Sequence, residues 1–154
     1  MLLTPHAMVG AAIGASTDNL AYIIILAILS HFILDFIPHF DWGTWHEGDK
    51  KFKLVTKDYL LVGCDISILL ILTYFLWHNV GSNIYILVGM FFAVLVDLIF
   101  NVPFWQEFTR NAPILKNIQK IHEKVHFRLK QKYWYLGVIT QTLVIVLAFW
   151  VIVK

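Results

Sequence analysis

Long apolar runs recur along this chain, and they limit its fold more than any other feature. Residues 20–37, 58–77, 84–101 and 133–153 are each built almost wholly from aliphatic and aromatic residues. About twenty such residues in a helix cross the hydrocarbon core of a bilayer. The chain has 154 residues, of which 59% are hydrophobic and 14% charged, against about 25% charged in an average soluble domain. A chain this short cannot hide so much apolar surface in a water-soluble core, so the excess is expected to face lipid. The expectation is an all-α, polytopic membrane helix bundle. It has about five membrane-embedded helices and one amphipathic surface helix, in a single domain over residues 1–154.

Punctuation along the chain sets the expected elements. Thr4 followed by Pro5 reads as an N-cap and first helical position, opening a short helix over 5–15. Gly10 and Gly14 form a G-x-x-x-G pair, flanked by Ala7, Ala11 and Ala15, that would let another backbone approach closely. The second helix is expected to stop at Pro38. A polar stretch over 41–57 follows, with Trp42 and Trp45 placed as interface anchors. The fourth helix ends before Pro103. Residues 113–132 carry Ile114, Ile118, Ile121, Val125 and Leu129 on one side and lysines on the other, the pattern of a helix lying on a membrane surface. No signal peptide is expected, because Met1 to Leu3 has no basic region. Cys64 sits alone in an apolar run and is read as a packing residue.

Basic residues orient this layout. Lys50, Lys51, Lys53 and Lys57 lie between helices two and three. Arg110, Lys116, Lys120, Lys124, Arg128, Lys130 and Lys132 lie between four and five. The opposite turns, 16–19 and 78–83, have none. The N-terminus and both long connections are therefore expected on the cytoplasmic side of an inner membrane, with Lys154 on the far side.

On that topology the ionisable residues of the apolar segments gather at one depth. His6 opens helix one. His31 and Asp35 lie near the end of helix two, with His39 and Asp41 just beyond. Asp65 is two turns into helix three, and Asp97 one turn from the end of helix four. His122 and His126 lie on the surface helix. His31/Asp35, His122/His126 and Asp97/Asn101 are each four apart and share a helix face. A carboxylate inside a bilayer costs about 2.5 to 3.5 kcal/mol on insertion scales. Helices one to four hold no Lys or Arg to offset Asp35, Asp65 and Asp97. Histidines or a bound cation remain as partners, and imidazole with carboxylate suits Zn²⁺, Mn²⁺ or Fe²⁺. The number of ligands allows one ion or two. Each pair taken alone also reads as a structural hydrogen-bonded pair. His46, His78, Glu47, Asp49 and Asp58 read as solvated loop or cap residues. The aromatic residues read as lipid-facing bulk and interface anchors. His122-Glu123-Lys124-Val125-His126 matches the H-E-x-x-H zinc-protease pattern, with Lys124 where that pattern usually has an uncharged residue.

Thr4-Pro5-His6, His31-x-x-x-Asp35 and Pro38-His39-x-Asp41 together resemble the membrane-bound metal-dependent hydrolases of the LexA-binding inner-membrane protein (YdjM-like) group. A more distant similarity is to zinc-dependent phospholipase C, an all-helical enzyme with His and Asp ligands. The resemblance covers mainly residues 4–41. It implies His6, His31, Asp35, His39 and Asp41 as site residues. The group's H-R-G-x-T-H type segment is absent here; His122 and His126 are the candidates for its place.

The expected function is a hydrolase using Zn²⁺ or Mn²⁺ at the cytoplasmic interface. His6, His31, Asp35, His39, Asp65, Asp97, His122 and His126 would hold or orient the metal, and Asp35 or Asp41 would act as base. The expected partners are membrane lipids and a lipid-like or amphiphilic phosphoester, with no nucleic acid. The alternatives are a non-enzymatic cation site, in a transporter or scaffold, and an H-E-x-x-H metalloprotease.

Overall fold

A computed structural model describes residues 1–41, 44, 55–81, 83–101 and 106–154. Trp42, Trp45, His46, Glu47, Asp49, Lys50, Lys51, Lys53 and Pro103 lie outside the described residues.

The described chain is helical. Its elements are α1 (Leu3–Ser16), α2 (Leu20–Asp35), α3 (Thr56–Asn79), α4 (Ile84–Phe100), α5 (Gln106–Asn111), α6 (Pro113–Val125) and α7 (Trp134–Val153), with a 3₁₀ turn at Gln131–Tyr133 leading into α7. Local chemistry explains several starts. The Asn19 side chain accepts from the Tyr22 amide at 3.2 Å, and Asn83 accepts from Tyr85 at 2.9 Å, each satisfying an amide that a helix start leaves free. Asp58 accepts from the Val55 amide at 2.7 Å, so its role as a cap is observed. Gly81 breaks the chain between α3 and α4 at φ 112°, a conformation that suits glycine.

Helix α1 is the centre of the molecule. Most of its residues from Thr4 to Gly14 are buried, and it packs against α2, α3, α4 and α7. Met8, Ala7 and Ala11 meet Leu76, Met90 and Ala148 in the apolar core. The expected close approach of Gly10 and Gly14 is observed, with α4 as the partner. A Cβ on Gly10 would lie 2.2 Å from the Gly89 carbonyl oxygen, and one on Gly14 would lie 2.1 Å from that of Tyr85. Backbone meets backbone there, so only glycine fits.

Two expectations are corrected, and a third is met in part. First, α1 begins at Leu3, and Thr4 is not its cap. The cap comes from α3, where the Asp65 carboxylate accepts from the amides of Leu3 at 2.7 Å and Thr4 at 3.2 Å. The Thr4 hydroxyl donates back to the Asp65 carbonyl at 3.0 Å. Second, the amphipathic helix ends at Val125 instead of running to Lys132. The chain after it is extended, because its backbone bonds pair with residues 35–39 and not with α6. The Phe127 amide donates to the Asp35 carbonyl (2.7 Å), the His39 amide to Phe127 (3.2 Å), and the Leu129 amide to His39 (2.9 Å). Third, among the described residues length and apolarity qualify two helices to cross a membrane, where about five membrane-embedded helices are expected. They are Thr56–Asn79 and Gln131–Val153; Leu20–Asp35 and Ile84–Phe100 are apolar but shorter. Outer surfaces are nonetheless apolar, as at Ile25 and Ile33 on α2, Leu70 and Ile71 on α3, and Leu147 on α7, all more than half exposed.

Candidate metal centre

Asp35, the last residue of α2, is fully buried and stands at the focus of the site. Its Oδ2 faces His122 Nε2 at 2.9 Å and His31 Nε2 at 3.3 Å. Its Oδ1 faces His6 Nε2 at 3.3 Å, His126 Nε2 at 3.7 Å and His39 Nε2 at 4.0 Å. Five imidazoles from α1, α2, α6 and two connections therefore turn the same ring nitrogen toward one carboxylate. The Met1 backbone nitrogen also reaches Asp35 Oδ1 and lies 3.3 Å from His126 Nε2.

Asp97 of α4 closes the other side. Its Oδ1 lies 3.6 Å from His31 Nε2 and 3.7 Å from His122 Nε2, and its Oδ2 lies 4.0 Å from His6 Nε2. The Asn101 amide donates to Asp97 Oδ1 at 2.6 Å, so the helix-end pair and the cluster coexist. Asp41 lies one step further out. Its Oδ2 is 3.6 Å from His126 Nε2. Its Oδ1 accepts from Arg128 Nε at 2.7 Å and from the Thr44 amide at 3.0 Å.

The carbonyl groups behind two rings set their tautomers. His31 Nδ1 lies 2.8 Å from the Ala93 carbonyl oxygen, and His39 Nδ1 lies 2.8 Å from that of Ile37. A carbonyl only accepts, so each Nδ1 donates and each Nε2 keeps its lone pair for the cluster. Metal-ligating histidines are oriented by such bonds. His6 and His31 stack with ring centroids 4.0 Å apart, and Phe100 lies over His122 at 6.1 Å. Phe100 is thus a wall of the site and not lipid-facing bulk.

The residues fit a metal ion. Two sets of donors lie within 4.8 Å of one another: His31, Asp35, Asp97 and His122, and separately Asp35, His39 and His126. Asp35 belongs to both. Both ring nitrogens of His6 and Nε2 of His39 are buried without a hydrogen bond, a costly state for groups that strong unless a ligand takes them up. Burial, reinforced by the positive charge at the Met1 nitrogen, holds His39 down at about 4 and His126 at about 3. Both rings are neutral near pH 7, the form that binds metal. Burial would raise Asp41, but the Arg128 guanidinium, the Met1 nitrogen and the His126 and His39 rings together outweigh it and the carboxyl is lowered.

Of the residues expected at the site, the fold brings together His6, His31, Asp35, His39, Asp41, Asp97, His122 and His126. Asp65 stands apart, engaged by the start of α1. His126 reaches the cluster from just beyond α6 and not from the helix face shared with His122. Glu123, the base of the H-E-x-x-H reading, is exposed and accepts from Gln119 at 3.1 Å. Two contributors escaped the sequence reading. Gln141 of α7 accepts from the Leu2 amide at 3.0 Å and donates to the Phe40 carbonyl at 2.9 Å, tying both flanks of the site to one helix. An amide in an apolar span was a readable signal. Arg128 had none, since it fits the basic side of an amphipathic helix.

Among the described residues, the fold and the site together define a helical protein with two helices long and apolar enough to cross a membrane and a buried His/Asp cluster that could hold metal. A scan of protein-family models and searches of curated proteins and of solved structures return no match to the chain.

Proposed function

We propose that this chain is a membrane-bound, metal-dependent hydrolase of the YdjM-like kind, acting at the cytoplasmic interface on a phosphoester of a lipid or other amphiphile. The observation that carries the reading is the single buried carboxylate, Asp35, shared by two sets of donors through its two oxygens. A carboxylate so placed would hold two ions together with these imidazoles. Two-ion centres are common in phosphoester chemistry, where the ions supply Lewis acidity and a water nucleophile at neutral pH. Within this chain, His31 and His122 hold one side of Asp35, and His39 and His126 the other. The Ala93 and Ile37 carbonyls fix two of these rings, and Asp41 is the nearest carboxylate beyond the ligands able to take a proton.

The membrane setting is supported by packing. The apolar windows of Thr56–Asn79 and Gln131–Val153 are only 11% and 22% buried, so neither is the hidden core of a soluble protein. We place five helices, α1 to α4 and α7, in or against the bilayer. The 3.6-residue period gives α6 three faces: Ile114, Ile118 and Ile121 outward, Gln119 and His122 buried, and Lys116, Lys120 and Lys124 on the third. A helix so divided suits the interface, with its lysines toward anionic headgroups. The clustered lysines and arginines put the site face in the cytoplasm.

Complete burial of His6, His31 and His39 favours a second reading, a closed structural cation site in a scaffold or transporter. A structural ion has every position filled by protein, whereas a catalytic one keeps one open. The first experiment is elemental analysis of detergent-purified protein, wild type and His31→Ala/Asp35→Ala, with hydrolysis of phospholipids and phosphodiesters measured on the same samples. Stoichiometric Zn²⁺ or Mn²⁺ lost in the double variant supports the site, and hydrolysis lost with it supports the enzyme. No metal after reconstitution overturns both readings. Metal without turnover leaves the structural one.

A further inference from the structure

Arg128 is held beside the cluster, on Asp41, by an arrangement that the metal ligands do not explain. Residues 126–129 are extended, so alternate side chains point to opposite sides. Phe127 turns away from the site and is half exposed, while His126 and Arg128 both turn to Asp41. His6, His31, His39 and Asp35 have side chains 0% exposed, and among the described donors His126, at 11%, is the most exposed. His126 is thus the donor nearest solvent, and Arg128 shares its partner Asp41.

The guanidinium is both fixed and available. Its Nε donates to Asp41 Oδ1 at 2.7 Å, and Asp41 is in turn held by the Thr44 amide and hydroxyl. Among the described residues this is the one bond to the Arg128 side chain, which remains 44% exposed. Its two terminal nitrogens are left as the outer edge of a planar fork. A single carboxylate separates the fork from His126, and His126 lies 3.7 Å from Asp35. A fixed, partly exposed fork beside a pair of donor sets is matched to the paired oxygens of a phosphate group.

We propose that Arg128 is the substrate-recognition residue of this site and that it takes a phosphate group presented beside His126. The proposal rests on the phosphoester-hydrolase reading above and deepens it by naming the residue that recognises the phosphate. Asp41 then acts as a positioning residue, aiming the fork through Nε.

The test uses the full chain in phosphatidylcholine nanodiscs, loaded with Zn²⁺. Binding of labelled inorganic phosphate is measured for wild type and Arg128→Lys, with metal content and thermal stability of each. Lysine keeps a cation for Asp41 but loses the fork. The expected result is at least tenfold weaker phosphate binding in Arg128→Lys, with metal content and melting temperature unchanged. Equal affinity in the two proteins overturns the proposal and leaves Arg128 as the counter-ion of Asp41. Failure of wild type to bind phosphate overturns it as well. Displacement of the label by short-chain phosphatidic acid separates the two sources of the group. Displacement at least tenfold tighter than by phosphate itself assigns a lipid headgroup, and equal displacement assigns a free phosphate or soluble monoester. If wild type holds no metal, the hydrolase reading fails separately. Phosphate binding that still depends on Arg128 in that protein keeps the anion site, and loss of that dependence removes it.

Discussion

Gly10→Ala tests whether the contact between α1 and α4 holds the metal centre together. The added methyl group would start 2.2 Å from the Gly89 carbonyl oxygen, 2.6 Å from its carbon and 2.7 Å from the Ala93 side chain. Ordinary van der Waals contact begins at 3.4 Å, so the two backbones must part by about 1.2 Å. Neither partner is a flexible side chain, and the strain falls on helix positions. Overpacking of this kind costs about 1 to 3 kcal/mol. The displacement also reaches the site. α1 carries His6, whose Nε2 lies 3.3 Å from Asp35, and α4 carries Asp97 and the Ala93 carbonyl that orients His31. Gly63→Ala is the control, because a Cβ there meets nothing within 4 Å, and alanine favours a helix by up to about 1 kcal/mol over glycine. The expected outcome is a lower melting temperature and weaker Zn²⁺ binding for Gly10→Ala, with Gly63→Ala unchanged or more stable. Thermal unfolding in detergent and a competitive Zn²⁺ titration measure the two. A Gly10→Ala protein as stable and as tight for metal as Gly63→Ala would refute the backbone contact as the organiser of the site.

Other predictions follow from single contacts. His126→Ala removes a donor from one set only, so elemental analysis should find about half the wild-type metal, whereas Asp35→Ala should abolish it; equal losses would argue against two ions. Asp65→Asn should lower stability by about 1 kcal/mol, because a charged cap of α1 is weakened, while metal content at saturating Zn²⁺ stays at the wild-type level. Metal lost from a folded Asp65→Asn protein would return Asp65 to the ligands. In metal-free protein, His39 and His126 lie at about 4 and about 3, below their ordinary 6.5. The unfolded chain therefore binds protons first as pH falls below 6.5. Each ring should cost about 1 kcal/mol of stability per pH unit from there down to its folded value, and neither costs anything above it. Melting temperature against pH, with His39→Gln/His126→Gln as the flattened control, measures this slope.

Much of the fold was legible because apolar length and helix punctuation are local properties. The starts of α2 and α4, at Leu20 and Ile84, follow from asparagines and apolar runs. The ends near Pro38 and Asn101 were placed within a few residues. Most of the site was legible for a related reason. An ionisable group in an apolar helix is expensive, so each one that persists needs a partner, and His6, His31, Asp35, Asp97 and His122 do meet. The same reasoning misplaced Asp65. Its partner is a helix start, whose free amides and positive dipole end satisfy a carboxylate as a metal would. Nothing in the sequence distinguishes the two.

Sequence alone determined that the chain is helical, that it carries long apolar segments, and that its buried carboxylates require compensation. Those conclusions depend on composition and on periods of three to four residues, which need no knowledge of distant contacts. Tertiary structure decided which carboxylate is central. Asp35 is joined from α1, from α6 and from both sides of Pro38, and only packing could reveal that its two oxygens face different imidazoles. It also decided the fate of residues 126–130. Helical by pattern, they are extended in the fold because residues 35–39 offer their backbone a partner, and that pairing alone turns His126 and Arg128 toward Asp41.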